Sequence, residues 1–415
     1  MQAKQVPLDH CTVRGVETHD DVLAVADLYG KAFGAYPRNY DNYVDLLVRR
    51  VPNKLWRLSR TLWTPDGTPI AHVRVCDRTM RLGGALIRVG GIGDVCTHPA
   101  RRKRGIMRHL FSRVVDFMRD EPYDISMLWG IGSFYDKFGF ITALTDHTLQ
   151  IPRAQTERLR GPYTARRPKP TDGPAVARLF RGDLAIRDGA MERPGAVWLQ
   201  RLLAEKNCRL LADPAGRLRA CYRGGPEGDA YLLREVSFGA RPHLDAFHSL
   251  LADMAHQAKA CEKPNLRFEL HPDHPLGHFI TADGCQTRTH IGHRGGGMCR
   301  ITNLHTLCDR MTPEWEALLA ASPAHDWAGR LRLKTDIATR DLAIADGRIV
   351  PEPPAGRAPA TIACTQDKLT RLVLGFHTPE TAMLLGEVRI SKPARPLAQA
   401  LFPRRALTIF GHDRF

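Results

Sequence analysis

The stretch from Val95 to Val115, VCTHPARRKRGIMRHLFSRVV, constrains this chain more than any other. An apolar run ending at Val95 to Thr97 predicts a buried strand. Pro99 then breaks the chain, and Arg101, Arg102, Lys103 and Arg104 lead into Gly105. A helix follows, because Ile106, Met107, Leu110, Phe111, Val114, Val115 and Met118 recur at three and four and share one face. Like charges crowd the helix N-terminus, which already carries roughly half a positive charge. An anion reverses that penalty. Backbone N–H groups at a helix start, a glycine permitting close approach and nearby guanidiniums together form a polyphosphate cradle. The plainer explanation is a solvated basic turn.

The turn is neither a Walker A loop nor Gly-x-Gly-x-x-Gly. It resembles the acyl-CoA pyrophosphate loop of GNAT-superfamily N-acetyltransferases, Gln/Arg-x-x-Gly-x-Gly/Ala, in Arg102-Lys103-Arg104-Gly105-Ile106-Met107, with Met107 departing from the last position. The resemblance implies that Arg102 to Met107 with Arg108 hold the diphosphate. It also implies that Val95, Cys96 and Thr97 pair with the pantetheine arm, and that Gly130 and Ile131 border the same groove.

At roughly 100–200 residues per domain, 415 residues predict two or three domains, and 43% hydrophobic residues are ample for their cores. No apolar run reaches the ~18 residues of a membrane span and no signal segment opens the chain, so a cytoplasmic protein is expected. The ten cysteines stand singly without a Cys-x-x-Cys pair, which favours reduced thiols over disulfides or zinc. A net charge of +16 fits nucleic acid, an anionic surface or the phosphates of CoA. No lysine run with interleaved aromatics appears, so no specific nucleic-acid partner is expected.

Taken in order, Val22 to Phe33 predicts an amphipathic helix after the acids Asp20 and Asp21. Tyr36, Tyr40 and Tyr43 run into a second helical stretch, Tyr43 to Val48; by the GNAT resemblance these helices border an acceptor groove. Trp56 to Trp63 and Ile70 to Val75 predict a hairpin about Pro65-Asp66-Gly67. Gly83-Gly84 turns the chain into a strand from Ala85, and Gly90, Gly91 and Gly93 suggest a bulge or a backbone that something approaches closely. Asp124 to Trp129 predicts a buried strand, followed by GIGSFYDKFGF. Tyr135 falls where GNAT enzymes carry a tyrosine. A phenol of pKa about 10 can protonate a leaving thiolate of about 8.5.

Pro152 to Pro170 predicts an inter-domain connection. Beyond it the first half returns in faint form: Ala230 to Phe238 as a strand and Leu244 to His256 as a helix, the cationic loop reduced to Gly239-Ala240-Arg241-Pro242. Such a copy should bind no cofactor. His271, His274, His278, Cys285, His290 and His293 invite a metal, but two prolines and a glycine in HPDHPLGH fit neither a helical pair nor a zinc knuckle. Loop histidines between domains, and no metal, are expected. Gly295, Gly296 and Gly297 read as a second hinge. The remainder predicts strands at Met298 to Ile301 and Leu331 to Lys334, a helix near Trp315 to Ala320, a hairpin at Asp346-Gly347, and helices capped by Thr365 and Thr378. This order resembles a sterol-carrier-type fold.

An active GNAT domain, a silent copy and a sterol-carrier-like tail together resemble the Eis (enhanced intracellular survival) family of acetyltransferases. The expected fold class is α+β: tandem GNAT-like mixed sheets, the second degenerate, plus a sterol-carrier-like α+β domain. The expected divisions are residues 1–151, 152–295 and 296–415. The resemblance implies an acetyl-CoA-dependent N-acetyltransferase acting on a primary amine of a polyamine-like molecule, an aminoglycoside or a lysine, and a homo-oligomer, in the family a hexamer. It also implies that the C-terminus returns to the first active site, the Phe415 carboxylate accepting a proton while Tyr135 donates one. The rival function is a lipid- or sterol-carrier-type binding protein with a vestigial GNAT module. A base is needed because an amine of pKa near 10.4 is neutral in only about one molecule in two thousand at pH 7. Desolvation in a closed cleft narrows the gap between that amine and a carboxylate.

Overall fold

The computed structural model describes residues 7–34, 36–50, 53–193, 196–351 and 359–415. It builds them into three mixed sheets with helices packed on their faces.

In the first sheet the strands run Thr12–Arg14, Arg60–Trp63, Pro69–Leu82, Ala85–Thr97, Ile125–Gly130, Gly296–Ile301, Ile141–Thr142. Gly83-Gly84 turns the two longest strands into a hairpin that pairs Leu82 with Ala85. The basic turn and the Ile106–Asp120 helix form the crossover from Ala85–Thr97 to the parallel strand Ile125–Gly130. That helix buries Ile106, Leu110, Phe111, Val114 and Met118 as its periodicity predicts, against Val73, Val75, Ile92 and Leu128 of the sheet. At about 25 cal/mol per Å² of apolar surface, each such side chain contributes roughly 1.5–3 kcal/mol. On the other face Ile87, Val89 and Met127 join Trp315 and Leu319 of the Leu304–Ala320 helix and the third sheet in one continuous core.

The second sheet repeats the plan. Its order is Gln286–His290, Asp146–Pro152, Asn265–Phe268, Ala230–Ser237, Leu218–Glu227, Cys208–Ala212, Thr164–Arg166. The Leu244–Ala260 helix again joins two parallel strands, Ala230–Ser237 and Asn265–Phe268. The third sheet, Arg348–Val350, Thr339–Ala345, Gly329–Lys334, Ala360–Ala363, Arg389–Ile390, holds the predicted Asp346-Gly347 hairpin.

Several expectations change. The first two sheets exchange strands near the expected boundaries at 151 and 295. Asp146–Pro152 pairs in the second sheet with Asn265–Phe268 and Gln286–His290. Gly296–Ile301 enters the first sheet between Ile125–Gly130 and Ile141–Thr142. The glycines 295–297 are therefore no hinge: a Cβ on Gly295 would lie 2.9 Å from Gly132 N, and one on Gly297 2.6 Å from Leu144 Cβ. Within 152–170 the chain forms an edge strand of the second sheet, Thr164–Arg166. His274 caps the Pro275–Ala282 helix by accepting from Leu276 N at 3.2 Å, and His271 packs on His147 with ring centroids 4.3 Å apart. Both belong to the second sheet's surroundings rather than to a loop between domains. Trp56 closes a short helix, Asn53–Trp56, instead of opening a strand. Thr378 caps its helix through Thr381 N at 3.3 Å, whereas the Thr365 hydroxyl turns to Asp367. Among the described residues no helix is long and apolar enough to cross a membrane, and no cluster of three or more His, Cys, Asp or Glu is placed to hold a metal.

Candidate active site

The site forms where two parallel strands part. Ala85–Thr97 and Ile125–Gly130 pair from Val89 opposite Ile125 to Ile92 opposite Leu128, and no further. Beyond Ile92 the first of them carries an extra residue relative to its antiparallel neighbour, the register stepping from His72 opposite Cys96 to Arg74 opposite Gly93. The bulge falls at Asp94, with φ of 52°, a left-handed conformation that aspartate tolerates better than most residues. Gly90, Gly91 and Gly93, expected to mark a bulge or a close approach, keep regular register with Asp77, Cys76 and Arg74 just ahead of Asp94.

The glycines accommodate the last residue of the chain. A Cβ on Gly91 would overlap the Phe415 ring, and one on Gly93 would lie 2.9 Å from the Phe415 carboxyl carbon and 3.1 Å from Arg74 Nη2. Phe415 also packs on Trp129, centroids 6.0 Å apart. Arg414 lies over the Trp129 ring at 4.9 Å and donates to Asp146 Oδ1 at 2.6 Å. Across the gap, Tyr135 begins a short turn, Tyr135–Phe138, in van der Waals reach of Gly130 and edge-on to Phe111 at 5.3 Å. Burial raises its pKa above the ordinary tyrosine value. The shift favours the protonated phenol.

The basic turn lies at the other end of the splay. Arg102, Lys103, Arg104, Gly105 and Arg108 are exposed, Ile106 is buried and Met107 half-buried. Lys103 and Gly105 have φ of 63° and 76°, and nothing lies within 4 Å of a Cβ on Gly105. The N-terminus of the Ile106–Asp120 helix thus presents its first N–H groups to open space beside three cations, a geometry that fits a diphosphate. Arg102 also works within the fold, donating to Ala32 O at 2.6 Å and Thr97 O at 3.4 Å. Val95 and Thr97 are half-buried on the bulged strand. Cys96 points inward, its thiol pushed by burial up to about 12. Ile131 is exposed beside Gly130.

Sequence reasoning missed a buried polar group beneath Phe415. Arg74 donates to Asp94 through Nε and to Cys76 Sγ through Nη1 at 2.6 Å. Burial opposes its charge, yet Cys76, Asp94 and Tyr43 hold its pKa above the usual arginine value. Next to it Tyr43 Oη meets His72 Nε2 at 2.9 Å, and His72 Nδ1 meets Thr61 Oγ1 at 2.7 Å. Burial drives His72 down to about 4, so the ring is neutral at pH 7. A hairpin turned at Gly83-Gly84 pairs Arg74 with Gly93, one position from Asp94. The charge pair was thus legible in principle from the turn. Of the aromatics read as a groove wall, Tyr43 is buried and stacks on Tyr29 at 4.3 Å, whereas Tyr36 is exposed.

Residues 13–143 match the family described as an acetyltransferase (GNAT) domain, a match that ends just before the exchanged strand. The curated "N-acetyltransferase Eis" proteins of Mycobacterium tuberculosis and Mycobacterium bovis are 25% identical to this chain over 331 residues, 74% of this chain and 76% of theirs. Among solved structures, a GCN5-related N-acetyltransferase from Kribbella flavida has a TM-score of 0.71 at 19% identity, covering 98% of this chain and 100% of its own. Eis1 from Mycobacterium abscessus has a TM-score of 0.65 at 15% identity over the same shares. Parted strands, an anion-ready helix start and these matches define a GNAT-type acetyltransferase. Within that class the chain is similar to the Eis N-acetyltransferases along about three quarters of its length.

Proposed function

We propose that this enzyme moves the acetyl group of acetyl-CoA directly to a primary amine, with Phe415 and Tyr135 as its two proton carriers. The observation that carries this reading is the placement of the Phe415 carboxyl group beside Gly93 on one parted strand, with Tyr135 packed against Gly130 on the other. The diphosphate of the donor lies against Arg102 to Met107 and Arg108, and its pantetheine arm pairs with Val95 to Thr97. The amine nitrogen attacks the thioester carbonyl carbon while its proton passes to the Phe415 carboxylate. A backbone N–H near the bulge faces the developing oxyanion. Collapse of the tetrahedral intermediate breaks the C–S bond, the sulfur takes a proton from Tyr135, and amide and CoA leave. Proton return from the carboxylate to the phenolate through solvent closes the cycle.

Arg74 is already paired with Asp94, and Arg414 with Asp146. Neither cation is left to repel a cationic acceptor, which keeps polyamines, aminoglycosides and lysine side chains within the reading. A lipid-carrier function is not favoured, since the matched family and curated relatives are acetyltransferases. The sterol-carrier likeness of residues 296–415, a hexameric assembly and the three-part division of the chain stay part of this proposal, the last supported by the three sheets.

Tyr135→Phe, and separately a few residues added after Phe415, should each lower kcat by roughly 10²-fold, within the range of general acid–base groups. Acetyl-CoA should still raise the melting temperature of both. Unchanged turnover in both proteins would remove the mechanism, and absence of stabilisation by acetyl-CoA in the parent would remove the donor site.

A further inference from the structure

The residues just ahead of Phe415 are held by a chain of charged and polar side chains that begins and ends on them. Arg193 Nε and Nη2 donate to Asp413 Oδ1 and Oδ2 at 2.8 and 2.7 Å, and Nη2 donates also to Glu235. Glu235 accepts in turn from Arg223, whose Nη1 donates to Glu205 at 3.0 Å. Glu205 lies 3.5 Å from Nε2 of His412, back on the same terminal segment. The side chains of Arg193, Arg223, Glu235 and Asp413 are only 7%, 3%, 1% and 4% exposed. Phe180 packs under the Arg193 guanidinium at 4.6 Å.

Buried ions of this kind add little net stability, because desolvation offsets their attraction; what bidentate pairing gives is fixed geometry. A tail that needed only to be covered could use apolar contacts, as Phe410 does within the second core. Arg223 and Glu235 lie on strands of the second sheet, and Arg193 and Glu205 flank the helical segments beside it. The same sheet carries Gly239-Ala240-Arg241-Pro242 where the first carries its cationic turn.

We propose that the second, degenerate GNAT-like unit serves as the seat of the C-terminus, with Arg193 as a positioning residue that sets the Phe415 carboxylate through Asp413. This rests on the reading of Phe415 as proton acceptor. One residue, Arg414, separates Asp413 from Phe415, a span of at most about 7 Å. A displacement of Asp413 is therefore passed to the carboxylate with little slack, and a misplacement of about 1 Å at a reacting group can cost 10²-fold in rate.

The test uses the full chain. Asp413→Asn removes the charge and the bidentate fork at the tail, keeping one acceptor oxygen, and leaves Arg193 paired with Glu235. Expected are a fall in kcat of about 10²-fold with KM for acetyl-CoA unchanged, and faster release of Phe415 by a carboxypeptidase. Arg193→Lys, which keeps the charge but not the fork, should fall between Asp413→Asn and the parent. If Asp413→Asn retains full kcat and a protected Phe415 while the chain extended beyond Phe415 is inactive, the seat is refuted and the proton acceptor survives. A KM for acetyl-CoA that rises as kcat falls would also refute it, as a merely structural contact. If the extended chain is fully active, the acceptor reading falls; the carboxypeptidase rate then decides the seat alone, an unchanged rate refuting it.

Discussion

Tyr135 and Phe415 could take opposite parts in the proposed reaction because their surroundings differ. The phenol sits among Phe111, Phe134 and Phe140, where burial favours its neutral form, and the carboxyl group lies against backbone at Gly93, next to the Arg74 guanidinium. Gly91 makes that arrangement testable by a single methyl group. Gly91→Ala should push the Phe415 ring aside and cut kcat by 10-fold or more while calorimetric affinity for CoA holds; normal turnover would mean that the ring has room to move. At this scale the sequence was informative about the glycines, which announced a close approach. Which residue approaches was legible only by resemblance, since Phe415 is more than 300 residues away in the chain. Asp94 gave no local warning, because a residue at a bulge is selected by a conformation that many polar residues can occupy.

The basic turn is an element whose parts divide their work. Lys103 and Arg104 are exposed and make no ion pair among the described residues, whereas Arg102 ties the strand end to the Ala32 carbonyl. Lys103→Glu with Arg104→Glu should therefore weaken acetyl-CoA binding by about 10-fold or more without loss of melting temperature, as charge-assisted phosphate contacts are removed. Equal affinity by calorimetry would place the diphosphate elsewhere. The Ile106–Asp120 helix was readable because its periodicity is local and strong. The exchange of Asp146–Pro152 and Gly296–Ile301 was not. A strand of six or seven residues carries no mark of its partner, and the pairing of Gly296–Ile301 with Ile125–Gly130 spans some 170 residues of chain.

Across the whole molecule, buried neutral histidines link stability to pH. His72 is lowered to about 4 and His274 to about 3, in both cases by burial. The folded state favours their uncharged forms. Their contribution is complete above the ordinary histidine value near 6.5 and is lost as pH falls from there toward about 4, by up to ~1.4 kcal/mol per pH unit for each ring. The urea midpoint should accordingly drop between pH 7 and pH 5, and His72→Gln should flatten that drop; a midpoint independent of pH would contradict the burial of these rings. The shared strands make a second prediction of the same scope. A protein ending at residue 295 lacks the buried Met298, Cys299 and Ile301 and the Trp315 helix that covers one face of the first sheet. It should aggregate or show no cooperative melting by circular dichroism, rather than survive as two folded units.

A growing polypeptide usually folds its leading domain first, while the rest is still being made. Here the first sheet waits for Gly296–Ile301, so translation must pass that point before the sheet that carries the candidate site is complete. Chaperone demand should therefore peak over the first two thirds of synthesis, with an incomplete sheet edge exposed at the ribosome surface until the missing strand arrives.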